Sequence, residues 1–474
     1  MKLDSTLSSG LENFIDDNAI RTEMEKAENP DPQLVRDILA KGAERVGLTP
    51  FETAVLLKNT DKELDEAIFE TAMSIKKGIY GNRLVLFAPL YISNECVNQC
   101  AYCGFKATND DLERRTLTPE GIRDEVTVLE NQGHKRLLLV YGEHPKYDAE
   151  WIAQTVRDVY AVTSEKSGEI RRVNINCAPL DVDGFKTLHD VGIGTYQCFQ
   201  ESYHLPTYEK FHLAGRKTDY LWRLHALHRA QEAGIDDVGM GALFGLYDTT
   251  YEVLGLLHHA QQLEKDCGVG PHTISFPRIE PALGSEMSFK PPYATSKHQF
   301  KKIVAALRIA VPYTGLILTT RETAEFRAEL LQMGVSQISA GSRTYPGAYS
   351  DPEYDRPGVQ QFCIGDSRSL DEVIQSIAGE HDYVPSWCTA CYRLGRTGEH
   401  FMELAKKGFI QKFCLPNGLL TFKEYLEDYA SEKTKQVGEE LIAREVEEYV
   451  DLAQKKLLTE RLVRIEAGER DLYL

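Results

Sequence analysis

The chain has 474 residues, of which 42% are hydrophobic, and this is enough apolar material for a large core. Acidic residues outnumber basic ones by 72 to 54, which gives a formal net charge of -18. Proteins that bind the phosphate backbone usually show a basic footprint, so no nucleic-acid partner is expected.

The hydropathy pattern predicts a protein that is neither secreted nor embedded in a membrane. Polar and acidic residues follow Met1 where a signal peptide would be apolar, and no apolar run reaches membrane-spanning length. Ten cysteines without a secretion signal fit a reducing compartment, where thiols bind metals or stay free. We therefore expect a cytoplasmic protein with no membrane partner.

Residues 1–83 are predicted to form an N-terminal helical layer. Two stretches carry helix-start signals, Asn29-Pro30-Asp31-Pro32 and Leu48-Thr49-Pro50-Phe51-Glu52. The second combines a threonine cap, a proline at the first helical position and a glutamate three residues after the cap.

From Leu84 onward, short apolar runs alternate with amphipathic stretches, a pattern typical of a parallel sheet with crossover helices. The predicted strands are Leu84–Ile92, Arg136–Tyr141, Arg172–Cys177, Thr195–Gln200, Asp237–Leu243, Thr273–Arg278, Gly315–Thr320 and Ser336–Ala340. The predicted helices between them include Thr118–Asn131, Asp148–Ser164, Asp219–Ala233, Tyr251–Lys265 and Lys297–Ala310. Eight such strands close a complete (β/α)8 TIM barrel, an α/β fold, which we place at residues 84–364. Residues 365–474 are predicted to be a helical extension.

Polar residues stand at the ends of several predicted strands, where barrel enzymes collect their catalytic groups. They are Gly142-Glu143, Asn174, Asn176, Gln200-Glu201, Arg278, Arg321-Glu322 and Ser342. Buried charges are costly unless they bind something, although each of these residues could instead form an ion pair or cap a helix.

Six cysteines form two sets of three, which we name the first triad (Cys96, Cys100 and Cys103) and the second triad (Cys388, Cys391 and Cys414). Iron–sulfur cubanes are usually held by four thiolates, so three leave one iron open to a substrate or cofactor. A structural zinc would fill all four positions, and no nearby CxxC completes the first triad. The other four cysteines, Cys177, Cys198, Cys267 and Cys363, are expected to be mostly buried packing residues.

The CxxxCxxC spacing of the first triad, directly after the first predicted strand, resembles the radical S-adenosylmethionine (radical SAM) superfamily. The resemblance implies a 4Fe-4S cluster on the triad, with S-adenosylmethionine bound to the open iron and cleaved to a 5′-deoxyadenosyl radical. Tyr141-Gly142-Glu143 resembles the segment that meets the methionine moiety. Tyr102 and Glu201 are further candidates for cofactor contacts, with an ordinary salt bridge as the alternative for Glu201.

Further stretches resemble the tyrosine lyases among the aromatic amino acid lyases of this superfamily. They are Phe87-Ala88-Pro89-Leu90-Tyr91, Phe199-Gln200-Glu201-Ser202-Tyr203-His204, residues 233–239, Ser275-Phe276-Pro277-Arg278 and Thr320-Arg321-Glu322. One branch of these lyases serves thiamine biosynthesis and another matures FeFe-hydrogenase. The second triad, within residues 386–398 and 413–417, resembles the maturase branch. A zinc knuckle completed by His400 is the alternative for these cysteines.

The resemblance to the maturase branch implies an auxiliary 4Fe-4S cluster on the second triad. An additional labile iron would be bridged to this cluster by a small amino acid thiolate such as cysteine. His272 matches the barrel histidine that holds this iron, and imidazole is a reasonable iron ligand. A lone histidine at the start of a strand could equally be a core residue.

The reaction implied is cleavage of L-tyrosine at Cα–Cβ to p-cresol and dehydroglycine, followed by formation of carbon monoxide and cyanide on iron for the hydrogenase active site. Arg321 and Arg278 are candidates for binding the substrate carboxylate, because a bidentate arginine suits it, with Ser342 as a polar helper. The expected partners are L-tyrosine, a low-potential electron donor of the ferredoxin or flavodoxin type, and other hydrogenase maturases. The alternatives are a 2-iminoacetate synthase of the thiamine branch and a non-catalytic iron–sulfur scaffold.

Overall fold

The computed structural model describes residues 7–164, 166, 168–351, 359–406, 409–449 and 451–474. Within these residues, the strands are β1 Arg83–Ser93, β2 Arg136–Tyr141, β3 Arg172–Asn176, β4 Thr195–Glu201, β5 Asp237–Ala242, β6 Thr273–Ser275, β7 Gly315–Leu318, β8 Gln337–Ser339 and β9 Val384–Ser386. The helices before β5 are α1 Asp17–Lys26, α2 Pro32–Ala43, α3 Pro50–Lys58, α4 Lys62–Tyr80, α5 Pro119–Asn131, α6 Ala149–Tyr160, α7 Val182–Asp190, α8 Leu205–Phe211, α9 Tyr220–Leu224 and α10 Ala226–Glu232. Those after β5 are α11 Thr249–Cys267, α12 Glu286–Phe289, α13 Lys297–Ala310, α14 Ala324–Leu331, α15 Leu370–Gly379, α16 Ala390–Arg393, α17 Gly398–Lys406, α18 Ile410–Asp428, α19 Glu432–Tyr449 and α20 Leu452–Glu466.

Strands β1 to β8 form a closed parallel barrel. Each strand pairs with the next along the chain, and β1 pairs with both β2 and β8 to complete the circle. The predicted α/β barrel is therefore confirmed. The largest shift in a strand end is at β6, which stops at Ser275 and leaves Arg278 in the following loop.

One predicted helix, Asp219–Ala233, is split into α9 and α10 because the chain leaves helical geometry at His225.

A ninth strand, β9, lies where the sequence predicted only helices. It pairs in parallel with the start of β1, with Arg83 opposite Val384 and Val85 opposite Ser386. Three residues that include Pro385 carry no alternating pattern, which is why periodicity did not reveal this strand. Since β9 runs directly into the second triad, its pairing brings Cys388 to the end of the barrel where the strands begin.

The N-terminal helices pack on the outside of the barrel. α3 begins as predicted, with the Thr49 hydroxyl accepting from the Glu52 amide and the Glu52 carboxylate accepting from the Thr49 amide. α3 and α4 pack against α13, and α1 and α3 pack against α11. No described helix is long and apolar enough to cross a membrane.

Buried charges join the C-terminal helices to the barrel. The Glu424 carboxylate of α18 accepts a hydrogen bond from Arg171 Nη1 at 2.8 Å and lies 3.3 Å from Lys135 Nζ. All three residues are buried. Charged groups in such a place are stable only when each has its partner, so this cluster fixes how α18 docks.

Two of the four single cysteines, Cys177 and Cys198, are buried as predicted. Cys267 is only partly buried. The prediction is wrong for Cys363, which is exposed in a loop of the chain that follows β8.

Replacement of Glu424 by alanine is expected to lower the free energy of unfolding by about 3–5 kcal/mol, because Lys135 loses its buried counter-charge. Thermal unfolding of the purified protein would measure the loss. Glu460→Ala, which removes an exposed carboxylate from α20, is the control and should change stability by less than about 0.5 kcal/mol. Equal effects of the two substitutions would contradict the docking role of Glu424.

Candidate active site and second cysteine site

The first triad lies in the loop that follows β1, at the carboxyl end of the barrel. On one side the loop forms a bridge to the segment after α8, where Cys100 pairs with His212. On the other side, Arg114 Nη1 donates to the carbonyls of Asn94 and Phe105 at 2.9 and 2.8 Å. The loop is therefore fixed from both sides, as a set of metal-ligating thiols requires.

A cavity of about 220 Å³ opens at this end of the barrel. Its lining includes these predicted residues: Cys96, Cys100, Tyr102, Cys103, Gly142, Glu143, Glu201, Arg321 and Ser342. Burial raises the pKa of each thiol of the first triad, that of Cys100 to about 12. One buried thiol, that of Cys100, and two partly buried thiols, those of Cys96 and Cys103, lie on one loop and line a cavity that also holds polar groups, an arrangement that fits a cubane with one open iron.

The end of β2 is bound tightly to the cysteine loop. A side chain at Gly142 would place its Cβ 2.2 Å from the carbonyl oxygen of Glu95, so only glycine permits this approach. The next residue, Glu143, accepts a hydrogen bond at 2.7 Å from Asn98 Nδ2. Tyr102, on the cysteine loop, has its hydroxyl 2.9 Å from His212 Nε2.

Glu201 ends β4 at an irregularity of the sheet and has a positive φ of 68°. Its carboxylate lies 2.6 Å from Lys217 Nζ and 3.9 Å from Arg223. Burial alone would raise the pKa of Glu201, but these two cations hold it below its ordinary value. The salt bridge weighed from sequence is therefore present, inside the cavity. Lys217 and Arg223 were missed because they lie in a segment that carries no motif.

Opposite these groups, the cavity presents Arg321, Ser342 and Glu280. The guanidinium carbon of Arg321 lies 3.3 Å from the ring centre of Phe362. The Ser342 hydroxyl is buried and has no hydrogen-bond partner among the described residues. Burial, followed by the charge of Glu322, raises the pKa of Glu280 to about 7.

Arg278 does not line this cavity. Its Nε donates to Glu322 Oε1 at 2.8 Å, its Nη2 pairs with the other carboxylate oxygen, and its Nη1 donates to the carbonyl of Thr295 at 2.9 Å. β6 ends three residues earlier than predicted, so Arg278 holds a loop in place. The side chain of Arg278 thus lies against Glu322 outside the cavity lining, and its predicted contact with a substrate carboxylate stays a prediction.

The second triad lies at the opposite end of the barrel. Its three cysteines line a small cavity together with Arg83 and Ser386. The pKa of Cys388 is held well below its ordinary value, first by a hydrogen bond with Cys391 and then by nearby arginines, against the effect of burial. His400 is exposed on α17 and does not line the cavity.

The residues that begin the strands form a polar floor beneath the second triad. Arg172 Nη1 donates to the carbonyl of Cys388 at 3.3 Å, and Tyr392 donates to Asp237 at 2.7 Å. His272, which precedes β6, has its Nδ1 3.3 Å from Asp237. Because the second triad lies where the strands start, His272 is on the same end of the barrel as these cysteines.

Three arginines of this floor were not identified as functional from the sequence. Arg83, Arg136 and Arg172 open β1, β2 and β3, and all three are buried. The sequence-based candidates were taken from the carboxyl ends of the strands, although a charged residue at the start of a buried strand is an equally strong signal. Of the predicted asparagines, Asn176 lines the first cavity, and Asn174 accepts from Arg172 Nε at 3.2 Å.

Among the described residues, no three His, Cys, Asp or Glu side chains converge on one metal-ion position. A cubane assigns its thiolates to different irons, so three thiols need not converge on one ion position to hold a cluster. The two sites are separated by the height of the barrel. β1 spans 11 residues, which corresponds to roughly 27 Å along the axis of a tilted parallel barrel.

Comparison with known proteins agrees with this geometry. The model of the Radical SAM superfamily matches residues 90–260, and the Biotin and Thiamin Synthesis associated domain matches residues 275–381. The 2-iminoacetate synthase of Salmonella typhimurium is 31% identical over 336 residues, which is 70% of this chain and 85% of that relative. The second triad lies beyond both family models.

Solved structures extend the likeness to the whole chain. A crystal structure of HydG, described as a maturase of the FeFe-hydrogenase, has a TM-score of 0.94 and 49% identity, covering 98% of this chain and 100% of that chain. The chain belongs to the HydG family of radical SAM enzymes. HydG from Carboxydothermus hydrogenoformans has a TM-score of 0.82 and 40% identity, covering 95% and 97% of the two chains. Membership of the superfamily indicates 4Fe-4S chemistry with S-adenosylmethionine in this HydG-family enzyme.

Arg278→Met is expected to lower the free energy of unfolding of this HydG-family protein by about 3–5 kcal/mol, because Glu322 would remain buried without its partner. Chemical denaturation of the apoprotein measures the change. Arg321→Met is the control, since Arg321 makes no hydrogen bond to the described residues, and its effect should be smaller. A larger loss of unfolding free energy in Arg321→Met than in Arg278→Met would contradict the structural role assigned to Arg278.

Proposed function

We propose that this protein cleaves L-tyrosine between Cα and Cβ to p-cresol and dehydroglycine, and that carbon monoxide and cyanide derived from the fragment are bound to iron for the hydrogenase active site. The observation that carries the proposal is the presence of two three-cysteine sites at opposite ends of one barrel. Its similarity to HydG along 98% of the chain supports it further.

A 4Fe-4S cluster held by Cys96, Cys100 and Cys103 would supply the electron that cleaves S-adenosylmethionine. The carboxylate of Glu143, held by Asn98, suits the methionine ammonium group. Glu201 and Lys217 form an ion pair, and either side chain could bind a polar group of the nucleoside in place of the other. The electron donor proposed is a low-potential protein of the ferredoxin or flavodoxin type.

The substrate would be held in the same cavity by Arg321 and Ser342. A guanidinium offers two parallel donors to a carboxylate, and the unpartnered Ser342 hydroxyl supplies a further donor. Glu280, whose pKa burial raises to about 7, is suited to take a proton from the tyrosine ammonium. Enclosure of these groups inside the barrel excludes water from the radical step.

At the other end, Cys388, Cys391 and Cys414 would hold an auxiliary 4Fe-4S cluster with an additional labile iron, bridged to it by a small amino acid thiolate. His272 would supply an imidazole to that iron. Asp237 lies against His272 Nδ1 and would orient the ring, as carboxylates do behind many metal-bound histidines. Other hydrogenase maturases are the proposed recipients of the iron product.

A second candidate function is that of a 2-iminoacetate synthase. It is favoured by the 31% identity to the Salmonella typhimurium enzyme, of which this chain covers 85%. Such an enzyme would release dehydroglycine, which hydrolyses to glyoxylate and ammonia without iron-bound carbon monoxide. A scaffold without catalysis would form no 5′-deoxyadenosine from reduced protein, S-adenosylmethionine and tyrosine.

Cys388→Ser is expected to leave p-cresol formation largely intact and to abolish the iron–carbonyl product, because only the second site loses a ligand. Liquid chromatography measures p-cresol, and infrared spectroscopy of the turnover mixture detects carbonyl and cyanide stretches on iron. Cys100→Ser is the matched substitution at the first triad and should abolish every product, including 5′-deoxyadenosine. Loss of p-cresol in Cys388→Ser would contradict the proposal that tyrosine is cleaved at the first triad and that the iron product forms at the second.

Arg321→Met is expected to raise the KM for tyrosine by about 10- to 100-fold, since a charged hydrogen bond to a carboxylate is worth about 1.5–3 kcal/mol. Cleavage of S-adenosylmethionine without tyrosine should be unchanged, which separates substrate binding from cluster damage. Steady-state assays of p-cresol and 5′-deoxyadenosine measure the two effects. An unchanged KM would remove Arg321 from the substrate site.

A further inference from the structure

Arg136 is a buried cation whose hydrogen-bonding groups are mostly unused. It opens β2 on the barrel floor and is 1% exposed. Its Nη2 donates to Gln337 Oε1 at 3.1 Å, whereas Nε and Nη1 are buried without a partner among the described residues. A buried guanidinium in this state is costly unless an anion joins it.

The neighbouring Arg172, on the same floor, has a hydrogen-bond partner for each of its three guanidinium nitrogens. It donates to Asn174, Thr195 and the carbonyl of Cys388, and lies 3.5 Å from Asp237. Arg172 is thus fully engaged in holding the floor together. Arg136 has no such set of contacts, and its free donors need another explanation.

Two further observations relate Arg136 to the second site and to Thr273. Arg136 lies directly opposite Arg172 in the register of β2 and β3, and Arg172 donates to the carbonyl of Cys388, so Arg136 neighbours a residue that contacts the second triad. The hydroxyl of Thr273, one residue after His272, is also buried without a partner in the described structure. A Cβ at Gly239 would lie 2.6 Å from this hydroxyl, so the glycine makes room for the Thr273 side chain. A Cβ at Gly315 would lie 2.6 Å from Gln337 Nε2 and 3.2 Å from Thr273 Cγ2, which places Thr273 close to the hydrogen-bond partner of Arg136.

We infer that Arg136, assisted by Thr273, binds a carboxylate of the small amino acid class beside the second triad. Gln337 occupies only one of the two hydrogens on Arg136 Nη2, so the second hydrogen can act together with Nε or Nη1 as a parallel pair of donors to a carboxylate, and the Thr273 hydroxyl can add a further donor. Two sources share this chemistry: the amino acid thiolate that bridges the labile iron, and the two-carbon fragment released from tyrosine. This inference rests on the proposed function and names the ligand chemistry of its second site.

The first arm of the test measures binding of the bridging amino acid to the reconstituted holoenzyme. L-cysteine is compared with cysteamine, which keeps the thiol and the amine but lacks the carboxylate. Titration calorimetry and the electron paramagnetic resonance of the labile iron report binding without turnover. The wild-type protein should prefer cysteine by about 10- to 100-fold, and Arg136→Met should abolish that preference.

The second arm follows the fragment during turnover with tyrosine. If the carboxylate is that of the fragment, Arg136→Met keeps p-cresol formation and the cysteine preference, but releases glyoxylate in place of iron-bound carbon monoxide. Thr273→Val, which is nearly isosteric, should produce the same change to a smaller degree. Either result supports the carboxylate site and identifies its source.

The melting temperature distinguishes a ligand-binding role of Arg136 from a structural role. Arg136→Met removes an unpaired charge and should not lower the melting temperature. Arg308→Met is the matched control, because Arg308 is equally buried but donates to the carbonyls of Pro312, Thr314 and Gly334. This control should destabilise the protein without altering the cysteine preference of the fraction that stays folded.

Unchanged cysteine preference together with unchanged carbon monoxide and glyoxylate in both Arg136→Met and Thr273→Val would overturn the inference. That outcome leaves the proposed function intact, since the wild-type protein would still form p-cresol and iron-bound carbon monoxide. Failure of the proposed function would instead appear as the absence of these products from the wild-type protein itself.

Discussion

Burial of positive charge on the barrel floor is the constraint on which the second site depends. Arg83, Arg136 and Arg172 are each at most 4% exposed. Among the described residues, Arg172 is the only one of these three within ion-pair distance of a carboxylate, that of Asp237. Arg83 lines a small cavity together with the three thiols of the second triad, which would neutralise it only when ionised. Metal binding requires thiolates, so the cluster proposed for this end would also compensate the positive charge of these arginines and would couple its own assembly to the stability of the fold.

The interior of the barrel departs from the usual packing, in which bulky branched side chains fill successive layers. The first cavity reaches down to polar or small groups such as Gln197, Ser275 and Ser339. Below them, Gly239 and Gly315 make room for the side chains of Thr273 and Gln337. A polar interior of this kind is suited to small hydrophilic molecules.

Much of the architecture could be predicted because it depends on local signals. The barrel strands are continuous apolar runs, and the first triad follows the first strand within a few residues. The pairing of β9 with β1 could not be predicted, because it depends on a contact between residues about three hundred positions apart. The roles of Arg278 and Arg321 were inseparable for a related reason: both follow strands, and only the partner Glu322 distinguishes them.

β1 occupies a special place among the eight barrel strands. Its carboxyl end runs into the loop of the first triad, and its amino end is paired with β9, which leads to Cys388. One segment therefore connects the two sets of three cysteines. A register slip of a single residue in β1 would turn its side chains to the opposite face and displace both sets of thiols together. The separation of the two cysteine triads is thus set by backbone hydrogen bonds of β1 to its neighbouring strands.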